Sequence, residues 1–166
     1  MAEMIIGIFH DSKDAGNVVS EFKSKGVTDE ITVVAKESIA GDTKVHEIQK
    51  DVSEGATAGA VAGATVGGLA GLLTGVASFV VPGVGLLVFG PLATVLTGIA
   101  GGALSGGLVG ALVDYGIPEE KAKLYEQRLQ AGEVIVGVTT GHMNANEVMN
   151  IMNQHNAEEI SVVHTK

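Results

Sequence analysis

The sequence contains no cysteine and no tryptophan, and only three prolines. Without cysteine there is neither a disulfide framework nor a thiolate metal site. Basic residues are scarce as well: ten Lys and Arg against nineteen Asp and Glu give a formal net charge of −9, and the basic residues form no run. Phosphate binding needs clustered Lys and Arg, so nucleic acid is not expected as a partner. A basic patch holding an anionic membrane surface is disfavoured for the same reason. The N-terminus, MAEMIIGIFHDSKD, lacks the order of a basic stretch, a long apolar run and a small-residue site that marks a secretory signal, which points to a cytoplasmic protein.

The largest gap is in charge: no Asp, Glu, Lys or Arg occurs from Gly55 to Val113. Glycine fills it. Gly55, Gly59, Gly63, Gly67, Gly71 and Gly75 recur every fourth residue, and Gly98, Gly102, Gly106 and Gly110 do so again. A glycine inside an exposed helix costs about 1 kcal/mol relative to alanine, so the first series alone gives up about 5 kcal/mol unless close backbone packing offsets it. As helices, Gly55 to Val80 and Pro91 to Val113 would reach about 40 and 34 Å. Both exceed the roughly 30 Å hydrocarbon core of a bilayer. The Pro82-Gly83 and Gly90-Pro91 pairs break the helix between them and predict an antiparallel hairpin. Its tip, Phe79 to Leu92, presents Phe79, Val80, Val81, Pro82, Val84, Leu86, Leu87 and Phe89, a patch too apolar to stand alone in water.

Small residues every four positions are a device for close helix packing, known best from membranes. Simple spanning is nevertheless disfavoured. The flanks carry Asp51, Glu54, Asp114, Glu119 and Glu120 with hardly a nearby cation, and no aromatic belt exists apart from Tyr115. Other copies of the chain, in a homo-oligomer, are the favoured cover for the hairpin. Membrane lipid is one alternative, and would make a cytoplasmic protein membrane-associated; a hairpin folded onto its own domain is the other.

The charged flanks, residues 1–54 and 114–166, read as one domain around the 55–113 insert. Met4 to Phe9 is a short apolar run without helical period, as expected of a buried strand. Asp11 or Ser12 can cap a helix from Asp14 to Lys25 that ends at Gly26, and Glu30 to Ala35 is a second strand. The C-terminal flank repeats this β-α-β pattern with Val134 to Thr139, Asn144 to Asn156 and Glu159 to His164. Ile5-Ile6-Gly7-Ile8 matches Ile135-Val136-Gly137-Val138, and Glu30-Ile31-Thr32-Val33-Val34 matches Glu159-Ile160-Ser161-Val162-Val163. Two such halves interlock most simply as a ferredoxin-like α+β split β-α-β sandwich, its first and third strands central and its second and fourth at the edges. The glycine-zipper α-hairpin is then an insertion. Lys44 to Gln49 reads as either a short strand, which is favoured, or a helical turn, and Pro118-Glu119-Glu120 starts a helix through Gln130 with Ala122, Tyr125 and Leu129 on one face.

The run of parts, above all Leu108-Val109-Gly110-Ala111-Leu112 followed by Gly116-Ile117-Pro118-Glu119-Glu120 and Tyr125-Glu126, resembles the bacterial general stress protein family of the YflT type. The resemblance implies a stress-linked bacterial protein and transfers no catalytic residue.

The residues themselves point to no chemistry. No GxxxxGK[ST] occurs, and Gly83-Val84-Gly85 lacks the later glycine of a dinucleotide fingerprint. His10, His46, His142, His155 and His164 show no HxxxH or HxH spacing, and His142 and His164 fall on strands with another between them, so no metal is expected. Glu119 and Glu120 point apart, Met149 and Met152 read as core, and no Ser, His and Asp set converges. The expectation is a non-enzymatic protein without a cofactor, with a small-ligand sensor as a further alternative.

Overall fold

The structure is a computed structural model that describes residues 3–27, 30–36, 78–81, 86–93 and 107–164. Strand β1 (Glu3–Phe9) leads into helix α1 (Ser12–Ser24), which Asp11 caps by accepting a hydrogen bond from the Lys13 N–H at 2.9 Å. Gly26, at φ +87°, turns the chain towards β2 (Ile31–Lys36). Two four-residue strands follow further on, β3 (Ser78–Val81) and β4 (Leu86–Phe89), then helices α2 (Gly107–Tyr115) and α3 (Glu119–Gln130). Strand β5 (Val134–Thr139), helix α4 (Ala145–Gln154) and strand β6 (Glu158–His164) complete the order.

These elements make a mixed α+β architecture: one open antiparallel sheet, ordered β3-β4-β2-β5-β1-β6, with helices on both faces. Strands covered on both sides read as near-continuous apolar runs. That is why MIIGIF and VIVGV show no alternation in sequence although their side chains alternate in space. Ile5, Phe9, Val33 and Val136 stand on one face and pack with Val18, Val19 and Phe22 of α1 and with Val148 and Met152 of α4. Met4, Ile6, Val34 and Ile135 stand on the other, under Leu108 and Leu112 of α2 and Ala122, Tyr125 and Leu129 of α3. Each fully buried large side chain contributes about 1.5–3 kcal/mol. The α3 face is the one its sequence spacing gives.

Strands β1 and β5 are flanked on both sides, as the repeat suggests, but β2 is not an edge. Strand β4 pairs with it from Val33↔Phe89 to Lys36↔Leu86, and β3 pairs with β4 beyond. Within the segment expected as the bare tip of a helical hairpin, Phe79–Val81 and Leu86–Phe89 are therefore strand, and Ser78 to Val80, which the helical reading placed at the end of the first zipper helix, lie on β3. Phe79, Val80 and Val81 lie on β3. Leu86, Leu87, Val88 and Phe89 are buried, Leu87 and Phe89 towards the α1 face and Leu86 and Val88 towards the α2 face. A four-residue apolar run bounded by Gly85 and Gly90 has the length of a strand buried on both sides. Only the lack of charge on either side joined it to the helices. The tip residues Pro82 and Val84, the strand read over Lys44 to Gln49, and His46 lie outside the described residues.

Helix α4 starts with a reciprocal cap: the Glu147 N–H donates to Asn144 Oδ1 at 3.0 Å, and the Asn144 N–H donates back to the Glu147 carboxylate at 3.4 Å. Such caps are worth about 1 kcal/mol. Asn144→Ala is therefore expected to lower stability by about 1 kcal/mol in urea unfolding, without changing the fold.

Candidate functional site

Most polar side chains at the ends of the sheet are matched to one another. Glu133, 5% exposed, accepts from Arg128 Nη1 at 3.1 Å on both oxygens and lies 3.1 Å from His10 Nδ1. The beginnings of β5 and β6 and the end of α3 meet here, and Glu158 joins at 3.4 Å from the same guanidinium. The bonds to Glu133 and Glu158 hold the Arg128 pKa above its ordinary value. His142, His155 and His164 pair in the same way with Glu30, Glu21 and Glu3. Each imidazole is thus tied to a glutamate far away in sequence, and among the described residues no three His, Asp or Glu side chains gather as metal ligands. Glu119 pairs with Lys123 at 2.7 Å on the exposed side of α3.

One region is not matched in this way. On the α2/α3 face of the sheet, β2 and β5 run side by side with Thr32 opposite Gly137, and the register continues as the Thr139 N–H donates to the Glu30 carbonyl at 2.9 Å. Side chains alternate along a strand, so Thr32 and Thr139 stand on this one face, while Glu30 is the turn residue just before β2. Glu30 Oε2, Thr32 Oγ1 and Thr139 Oγ1 are all buried and lack a hydrogen-bond partner. Glu30 Oε1 lies 3.0 Å from His142 Nδ1, which leaves Oε2 as the free oxygen of that carboxylate.

Beside Thr32 lies a cavity of about 20 Å³, counted as space open to the centre of a water molecule. Its floor is Met4, Ile6, Thr32, Val34, Ile135 and Gly137, and its roof includes Leu112 of α2 and Tyr125 and Leu129 of α3. The absent side chain at Gly137 helps to open it, and Met4 Sδ leans over that spot, 3.1 Å from where a Cβ would stand.

Two tyrosines border the region. Burial pushes the Tyr115 pKa above its usual value, with the Thr139 hydroxyl opposing the shift but not reaching hydrogen-bonding geometry. Burial does the same to Tyr125, with Ser161 of β6 in the opposing role and the Tyr125 hydroxyl likewise unbonded.

Of the residues read from sequence as assembly positions, Gly110 alone falls among the described ones, on α2. A Cβ there would meet no described atom within 4 Å. Gly55, Gly59, Gly63, Gly67, Gly71, Gly75, Gly98, Gly102 and Gly106 lie outside them. Among the described residues no helix is long and apolar enough to cross a membrane. Helix α2 has nine residues and ends in Asp114-Tyr115, whereas a span needs about 20 apolar ones. The alternative of membrane lipid as partner, with membrane association as location, is overturned on that ground.

Sequence reasoning missed Glu30, Thr32 and Thr139 as a group. Glu30 and Thr32 are two residues apart in sequence, but only Thr32 belongs to β2. What aligns them with Thr139 is the β2–β5 register, which no local pattern encodes. A scan against protein-family models, a search of curated proteins and a search of solved structures each return no match.

Proposed function

We propose that this is a non-enzymatic, self-assembling protein of the stress-linked kind its resemblance implies, a ferredoxin-like pair of β-α-β halves that carries a glycine-rich segment for association between copies. The strand order β2-β5-β1-β6 supports the ferredoxin-like reading, since the two halves interlock with the first strand of each at the centre.

Gly110 is the observation that carries the self-assembly. An alanine there would gain about 1 kcal/mol of helix propensity, and no packing among the described residues requires the glycine. A close neighbour from another copy gives it a reason. Gly110→Leu combined with Gly63→Leu and Gly67→Leu is expected to lower the native mass seen by analytical ultracentrifugation while leaving the far-UV circular dichroism of the α+β domain in place. An unchanged mass in the triple variant would refute the reading.

A further inference from the structure

We infer that β6 is a docking edge for β6 of a second copy, the two strands running antiparallel about a two-fold axis at Val162 so that the two sheets join into one. This goes beyond self-association through the glycine-rich segment and uses a different surface.

Strand β6 ends the strand order, and among the described residues no strand pairs with its outer side. An edge strand presents a row of unpaired N–H and C=O groups, and folded proteins blunt such edges with Lys, Pro, bulges or a covering segment. Here the blunting stops part-way. The pairing with β1 slips between Ile6 and Ile8, and Glu159 stands at φ +51°, so the start of β6 is bulged and turned away from straight pairing. From Ser161↔Ile6 to His164↔Glu3 the register is unbroken, and these four residues include no Lys, Pro or Gly. Val162 lies in the middle of this stretch. It is opposite Ile5, which is wholly buried, yet it is itself 44% exposed.

What fits such an edge is an extended segment with an apolar centre and with charges that answer those of β6. A second β6 meets each requirement. With the axis at Val162, the two Val162 side chains stand directly opposite, about 4.5–5.5 Å apart at Cβ, and cover one another. Ser161 then pairs with Val163 of the second copy, and the reverse. The antiparallel sense carries the acidic start of one strand, Glu158-Glu159, towards the other's His164, after which the sequence runs on to Lys166. A parallel pair would lay these carboxylates against one another, which is destabilising. Pairing about a two-fold axis uses each edge once and closes at a dimer.

The sequence has no cysteine, so a single introduced thiol reports the contact. In the full chain, Val162→Cys under oxidised glutathione is expected to form a disulfide-linked pair at least about tenfold faster than Asn153→Cys, because docking raises the effective concentration of the two thiols. Asn153 is exposed on α4 and measures chance collision. His164→Cys lies on the same edge, but in this register its two copies are about 13 Å apart along the strands, beyond disulfide reach, so it should be as slow as Asn153→Cys. The same ratios are expected when Gly63→Leu, Gly67→Leu and Gly110→Leu are also present, which separates this edge from assembly through the glycine-rich segment. The inference is overturned if Val162→Cys links no faster than Asn153→Cys, if His164→Cys links as fast as Val162→Cys, or if the advantage of Val162→Cys disappears in the triple glycine variant.

Discussion

Gly90→Ala is expected to separate β4 from β2 and to cost more than about 3 kcal/mol, the sum of a strained backbone and a lost strand pairing. Gly90 sits at φ +92° immediately after β4, in a region that side chains rarely adopt. A Cβ there would also overlap the Ile31 carbonyl oxygen and crowd Thr32 Cα, both backbone atoms that no rotamer change can move aside. The glycine is fixed from its other side as well. Pro91 follows it, and the Gly90 carbonyl accepts from the Ala93 N–H at 3.0 Å to start a helical turn. The damage would reach the core on both faces, because Leu87 and Phe89 belong to one layer and Leu86 and Val88 to the other. Urea unfolding checks this: a midpoint close to that of the unaltered chain would show that β4 is not locked to β2 in the way described.

Tyr125 should separate size from polarity. Its side chain is 1% exposed and sits at the centre of the layer between the sheet and α3, so Tyr125→Ala is expected to cost about 3–5 kcal/mol, as for other large aromatic truncations. Tyr125→Phe keeps the ring and removes a hydroxyl that has no hydrogen-bonding partner. A buried unmet hydroxyl is itself a cost, so this variant should equal the unaltered chain or exceed it by up to about 1 kcal/mol. The two also differ in alkali. Burial raises the folded-state pKa of Tyr125; the Ser161 hydroxyl and Lys121 oppose the shift and Glu159 adds to it. Below the ordinary tyrosine pKa of about 10 the phenol is neutral in both folded and unfolded chains, and its contribution is fully present. Above it the unfolded chain loses the proton first, so stability falls as pH rises towards the folded value. Tyr125→Phe should reduce that loss above about pH 10 without abolishing it, because Tyr115 is shifted in the same direction. Thermal midpoints measured across that range decide, and equal slopes in the two proteins would contradict the assignment.

Local pattern was enough for the elements that carry their own signals. Asp11, one of two cap candidates, Gly26 at positive φ after its helix, and the Ala122, Tyr125 and Leu129 face all depend on neighbours within a few residues. The match between the two β-α-β halves likewise anticipated β1 and β5 as inner strands. The sequence reading failed where burial on both faces erased the period that distinguishes strand from helix. Leu86-Leu87-Val88-Phe89 is apolar because two layers meet it, and from the inside of a charge-free stretch it resembles the middle of an apolar helix. The pocket was invisible for a different reason. Glu30, Thr32 and Thr139 are ordinary polar residues, and their lack of partners arises only once β2 and β5 are paired.

Self-association through the glycine-rich segment is tested most directly by the native mass of the unaltered chain, from light scattering coupled to size exclusion in detergent-free buffer at micromolar concentration. The account predicts a discrete multiple of 16.9 kDa. A single stable species at 16.9 kDa would contradict it.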